Sequence, residues 1–199
     1  MRNLALFDFD GTITTGDTFI PFLRAAVRPY RAVATAVALS PVSIGYYAGL
    51  VSGPRVRPLY VRLGLKGENA RDVRSIGNRY ASQSLPALVR RDAMDRIDWH
   101  RRRGDEVVVV SASLDVYLEP WCRAHGLLVI CTVLEEQEGM LTGRYVNGDC
   151  SGSEKARRVR VRYLLDRYSM IYAYGDSSED REMLAMAHKP CYRWEQIPD

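Results

Sequence analysis

The stretch that most restricts what this chain can become is Leu4-Ala-Leu-Phe-Asp8-Phe-Asp10-Gly11-Thr12-Ile13-Thr14. Leu4 to Phe9 is a short, nearly unbroken apolar run, the pattern of a strand buried on both faces of a parallel sheet. Two carboxylates, Asp8 and Asp10, stand at its C-terminal end, and strand alternation predicts that they point to the same side. Gly11 permits a sharp turn, and the hydroxyls of Thr12 and Thr14 can tie that turn down. In an open α/β sheet, ligands sit at the C-terminal ends of strands. Two like charges held this close repel unless a cation or a shared proton relieves them.

The next strong strand pattern is Glu106-Val-Val-Val-Val-Ser111, after the turn Arg103-Gly104-Asp105. A plain βαβ unit needs roughly 30 residues, and the interval after Thr14 is far longer. The excess predicts a module inserted above the strand end that carries Asp8 and Asp10. Its pattern is helical: Asp17 can cap a helix through Phe19, Phe22, Leu23 and Ala26, with Pro21 confined to its start. Further helices are expected through 56–63, 68–82 and 85–102. The domain reading is a core of residues 1–14 and 104–199, with 15–103 as a helical lid.

Inside that module, Ala32 to Pro54 carries no charged residue, with Arg24, Arg28 and Arg31 on one side and Arg55 and Arg57 on the other. The length suits a membrane helix, but Pro41, Gly45 and Gly49 interrupt it. A single crossing would also part Asp8 and Asp10 from every later site residue. Two readings stay open: a hairpin resting on a membrane, or an ordinary packed helical pair.

Beyond Ser111, a helix is expected over 115–125, ended by Gly126, then a strand over 127–134 and a small glycine-turned hairpin at 138–143. A basic helix should span 156–168, and a last strand 169–174 leads into Gly175-Asp176-Ser-Ser-Glu-Asp180 and a further helix. Strands alternating with helices predict a doubly wound α/β parallel sheet.

The chemistry-bearing residues fall at strand ends and helix starts. Ser111, with backbone N–H groups at the following helix, is suited to an anion. Lys155 sits in the first turn of its helix, where the dipole disfavours a cation, so an anionic partner is expected. Asp176 and Asp180 complete an all-oxygen set with Asp8 and Asp10, which favours Mg²⁺ over zinc. The four cysteines form no CxxC pair and read as reduced packing thiols. A net charge of 28 − 24 = +4 is too mild to imply nucleic acid, and no RNP-type motif is present. The first strand begins at once, leaving no room for a signal peptide, so the expected location is cytoplasmic. If 32–54 meets a bilayer, it is peripheral on the inner membrane surface.

The ordered set Asp8-x-Asp10-Gly-Thr12, Ser111, Lys155 and Gly175-Asp176-x-x-x-Asp180 resembles the haloacid dehalogenase-like hydrolase superfamily. Val-Ser-Ala-Ser at 110–113, Cys-x-Gly-x-x-Lys at 150–155 and the long helical insert are similar to its phosphoserine-phosphatase-like subgroup with a type 1 cap. Within it, the branch with phosphatidylglycerophosphatase C-like proteins is nearer, because Thr15-Gly-Asp17-Thr replaces the acidic stretch that reads serine. The resemblance implies a Rossmann-like core and a Mg²⁺-dependent phosphomonoesterase. Asp8 would be the nucleophile and Asp10 the general acid and base. Asp8, the Asp10 carbonyl and Asp176 would hold the metal, while Thr12, Ser111 and Lys155 bind phosphate. Asp180 would hold a metal-bound water or orient Lys155. The implied substrate is a phosphorylated small molecule or a phospholipid headgroup phosphate. A non-catalytic phosphate- or lipid-binding protein and a phosphotransferase are the competing readings; a binder would be free to lose Asp10 or Lys155, and neither is lost.

Overall fold

A computed structural model describes residues 2–48 and 50–196. The first strand, β1 (Arg2–Phe7), lies in the middle of a six-stranded sheet. It pairs in parallel with β2 (Glu106–Leu114) on one side and with β6 (Tyr168–Gly175) on the other. Beyond β2 lies β3 (Leu128–Thr132), and beyond β6 lies β7 (Lys189–Tyr192), both parallel to their neighbours. Within this sheet, among the described residues, only β8 (Glu195–Gln196) runs antiparallel, against β7.

Alternation along the strands builds two cores. Ala5, Phe7, Val107, Val109 and Tyr174 face one way, and Leu4, Leu6, Val108, Val110 and Ala173 face the other. The first set packs against the helices α1 (Phe19–Ala26), α4 (Gly53–Gly64), α5 (Ala70–Arg79), α6 (Arg91–Arg102) and α7 (Asp115–Ala124), while α2 (Pro29–Ala38) and α3 (Ser40–Tyr47) lie between α1 and α4 in the chain. The second is covered by α8 (Ser153–Arg162) and α9 (Arg181–Leu184). Helices on both faces of a mostly parallel sheet make this the expected doubly wound α/β fold.

Between β1 and β2 the chain is helical. The expected Asp17 cap is present, its carboxylate accepting from the amides of Phe19 and Ile20. The two connections to this segment run side by side: the Thr15 amide donates to the Leu88 carbonyl, and the Arg90 amide donates to that of Ile13. That pairing interrupts the helix expected over 85–102, leaving a short turn at 85–87 and α6 after it.

The uncharged stretch forms two short helices, α2 (Pro29–Ala38) and α3 (Ser40–Tyr47), and Gly49 lies outside the described residues. No helix among the described residues is long and apolar enough to cross a membrane. Two of the flanking arginines point inward rather than out. Arg31 binds Glu68 and the carbonyls of Leu63 and Lys66, and Arg57 reaches Asp149 and Glu179.

Three further boundaries differ from expectation. The run 127–134 divides at Val133, with β3 before it and β4 (Leu134–Gln137) after it; β4 pairs with β5 (Met140–Tyr145) to form the expected hairpin. The basic helix stops at Arg162, because Tyr163 turns extended and buries its ring in the second core. The short β7 and β8 carry no alternating apolar signal, and Pro190 obscures β7 further.

Candidate active site

Pairing in β1 ends at Phe7, and Asp8 continues in extended backbone just beyond it. The next five residues close a tight turn in which Gly11 takes φ +79°, and the Thr14 amide donates to the Phe9 carbonyl. Thr14 secures the turn through its hydroxyl, which accepts from the Gly11 amide and donates to the Gly16 carbonyl. Gly11 is required on a second count: a Cβ there would lie 2.3 Å from Asp176 Oδ2. The loop after β6 therefore approaches the turn after β1 closely, where the strand order reverses and α/β sheets bind ligands.

Asp8 and Asp10 are neighbours, but they face different partners. Asp8 is buried, and its Oδ1 accepts from Lys155 Nζ at 2.5 Å. Asp10 is set by its turn rather than by strand alternation. Its Oδ1 accepts from the Thr18 amide at 2.8 Å and the Thr18 hydroxyl at 2.6 Å, and its Oδ2 accepts from the Ser113 hydroxyl at 2.6 Å. Burial pushes the Asp10 carboxyl up to about 6, helped by the charge of Asp17 and opposed by those hydrogen bonds. Burial likewise raises Asp8 well above the usual carboxylate range, with Lys155 pulling against it and Asp180 adding to it.

Lys155 is buried, in the first turn of α8, and its ammonium also donates to Asp180 Oδ1 at 2.6 Å. Burial would lower its pKa, but the charges of Asp8 and Asp180 outweigh that and raise it. The anionic partner expected for this cation is thus a pair of carboxylates. Asp180 uses its other oxygen to accept from the amides of Asp176 and Ser177 and from the Ser177 hydroxyl. It ties the loop after β6 to α8. Asp176 is half-buried, and the Thr12 hydroxyl donates weakly to its Oδ1 at 3.4 Å. Burial raises the Asp176 carboxyl, and the charge of Asp180 adds to the shift.

Ser111 lies within β2, which runs on to Leu114, and its Oγ accepts from the Ser113 amide at 3.1 Å. Every residue expected at the site is therefore present around one cavity or supports a residue that lines it. The cavity measures about 950 Å³; Asp8, Asp10, Ser111, Lys155 and Asp176 form its floor. One ligand atom each from Asp8, Asp176 and Asp180 lies within 4.8 Å of the others. That excess of carboxylate oxygen over one ammonium fits a hard divalent cation. Because Asp180 has both oxygens committed, Asp8 and Asp176 are the better donors.

Residue-type reasoning missed Thr18, Ser113 and Arg57. Ser113 stands in the Val-Ser-Ala-Ser run, two residues beyond Ser111 and so on the same face of a strand; that spacing is the signal that could have found it. Arg57 comes from α4 and grips Asp149 with two nitrogens, at 2.9 and 3.0 Å, and Glu179 at 2.7 Å. No local pattern announces it.

Comparison with known proteins places the chain among relatives of similar sequence and fold. Protein CicA of Caulobacter vibrioides is 34% identical over 192 residues, covering 96% of this chain and 85% of that one. A Mycobacterium tuberculosis protein named "Probable phosphatase" is 31% identical, covering 94% of this chain and 67% of that one. Among solved structures, substrate-bound phosphoserine phosphatase superposes with a TM-score of 0.70 at 20% identity, over 96% of this chain and 86% of that one. The family profile described as haloacid dehalogenase-like hydrolase matches residues 5–185, a span that contains all five floor residues, and the chain belongs to that family.

Proposed function

We propose that the chain is a Mg²⁺-dependent phosphomonoester hydrolase working through an aspartyl-phosphate on Asp8. The observation that carries this reading is the division of labour between two adjacent carboxylates. Asp8 is fixed by Lys155, whereas Asp10 is held by neutral donors and has a pKa of about 6. A group with that pKa populates both protonation states near neutrality, as a general acid and base must.

In the first step an Asp8 oxygen attacks phosphorus, the bond from phosphorus to the alcohol oxygen breaks, and Asp10 gives its proton to that oxygen. In the second, the Asp10 carboxylate takes a proton from water as the water oxygen attacks phosphorus. The Asp8–phosphorus bond breaks, and inorganic phosphate leaves. Ser111 Oγ already accepts from the Ser113 amide, so its hydroxyl proton is free for a phosphoryl oxygen. Lys155 and the backbone N–H groups of the turn at Thr12 stabilise the remaining charge. Asp8, the Asp10 carbonyl and Asp176 would hold Mg²⁺, which would offset repulsion between Asp8 and the incoming phosphate. Asp180 orients Lys155.

The domain division proposed is a core of 1–14 and 104–199 with a cap of 15–103; the chain leaves and re-enters the core side by side where Thr15 and Arg90 meet Leu88 and Ile13, and α6, beyond that hinge, packs back on the sheet through His100. Residues from α3–α4 and from that hinge line the mouth of the cavity, so the cap selects the substrate, a phosphorylated small molecule or a phospholipid headgroup phosphate. The relative named a phosphatase supports the reaction class. The test is phosphate release from a panel of phosphomonoesters, with a chelator arm. EDTA should abolish turnover and Mg²⁺ restore it. Ca²⁺ should restore little, because it takes more ligands at longer distances. Full activity in excess chelator would overturn the metal assignment.

A further inference from the structure

Charge is distributed very unevenly along this chain. Between residues 18 and 67 there are seven basic residues (Arg24, Arg28, Arg31, Arg55, Arg57, Arg62, Lys66) and no acidic one. That segment carries +7, so the remainder carries 4 − 7 = −3. Within it, α2 departs from the usual surface helix, whose outward face is charged. Tyr30, Val33 and Val37 fall at i, i+3 and i+7, on one stripe, and with Ile44 of α3 and Leu50 they are 65% to 81% exposed. Clustered exposure of this kind marks an interaction surface, unlike scattered single residues.

We propose that this face docks on an anionic lipid bilayer. Charge complementarity selects that occupant: Arg24 and Arg55 are exposed on the flanks of the apolar face, and Arg28 is largely exposed beside Glu68. A bilayer with anionic headgroups accepts apolar side chains and a basic rim together. Continuity with the site gives the docking a purpose. Leu50 belongs both to the exposed apolar set and to the wall of the catalytic cavity, which its neighbours Val51, Ser52 and Pro54 also line. Docking therefore brings the cavity mouth to the headgroup plane, and a phosphomonoester on a lipid becomes the substrate class. This last step rests on the phosphatase reading; the docking itself does not.

The experiment floats the full-length protein with vesicles of phosphatidylcholine alone or mixed with phosphatidylserine, at low and high salt. Wild type should float with the mixed vesicles at low salt and stay behind with phosphatidylcholine. Arg24→Glu should weaken binding roughly 30-fold, two charge steps of about fivefold each. Val37→Asp/Ile44→Asp should abolish it. Hydrolysis of soluble p-nitrophenyl phosphate should be unchanged in both variants, whereas hydrolysis of phosphatidic acid in mixed vesicles should fall with binding. Wild type that remains in the supernatant at low salt overturns the docking. So does a wild-type dimer that Val37→Asp/Ile44→Asp turns into monomer, because a second copy then covers the face. Flotation with no hydrolysis of any ester would overturn the phosphatase reading and leave the docking standing.

Discussion

At and just beneath the floor of the cavity three carboxylates are held by donors: Asp8 by Lys155, Asp10 by Thr18 and Ser113, and Asp180 by Lys155, Ser177 and two backbone amides. On the outer face of α2, Tyr30, Val33 and Val37 are mostly exposed to solvent. The first region is over-determined, so losing one member leaves charges buried and uncompensated. The second contributes little to the folded state, so its composition points to an external constraint. The largest effects of substitution should therefore lie on the floor and the smallest on α2.

The greatest effect on turnover is expected from Asp8→Asn. It removes the nucleophile while keeping its shape, and turnover should fall roughly 10³-fold or more, as it does when one member of a cooperating set is lost. Circular dichroism should show an intact fold. Near wild-type turnover would eliminate the covalent route.

The greatest effect on stability is expected from Lys155→Met. Removing one partner of a buried ion pair costs about 3–5 kcal/mol, because it strands the other charge. The sign of its pH dependence follows. Without the ammonium, the already raised Asp8 carboxyl keeps its proton still more readily in the folded state than unfolded, so stability should be lost as pH rises from the ordinary carboxylate range through that raised value. Denaturant titrations at acid and neutral pH measure this; a loss equal at both would show that packing, not charge, was removed.

Those two residues were legible in the sequence because a charged side chain at a strand end or helix start has few structural uses, and five such positions occurred in order. Asp8, Asp10, Lys155, Asp176 and Asp180 were all of this kind, and so was the parallel sheet, whose strands read as apolar runs. Thr18, Ser113 and Arg57 were not. A hydroxyl after a helix cap or inside a strand is common, and its significance here comes from which carboxylate the fold brings to it. Arg57 meets Glu179 across 122 residues of chain, a distance over which no periodicity carries information. In the uncharged stretch, composition showed that charge was missing but could not show which side chains turn inward.

A finer probe of the floor is Ser113→Ala. The Ser113 hydroxyl favours the ionised form of Asp10, so its loss should move the Asp10 pKa above about 6. Leaving-group protonation needs protonated Asp10. For an alkyl phosphate, whose kcat/KM reports that step, the alkaline limb should shift to higher pH. An unshifted limb would assign it to another group.

The smallest effect should come from the other region. Thr35 and Leu39 are buried beneath α2, whereas Val37 is 69% exposed. If the whole stretch merely packed against the cap, a charge anywhere in it would destabilise the protein. The structure instead predicts a split within three residues. Leu39→Asp, which buries an unpaired charge, should cost several kcal/mol. Val37→Asp should change stability by no more than about 0.5 kcal/mol, the range of ordinary surface substitutions. Thermal melts of the two variants without lipid measure the difference. A Val37→Asp protein as unstable as Leu39→Asp would mean that the α2 face is covered within the free protein, and it would remove the contrast on which the docking surface rests. A neutral Val37→Asp would show that folding does not use this exposed side chain. That is the outcome the proposed docking needs, because a side chain already spent on folding could not also enter a bilayer.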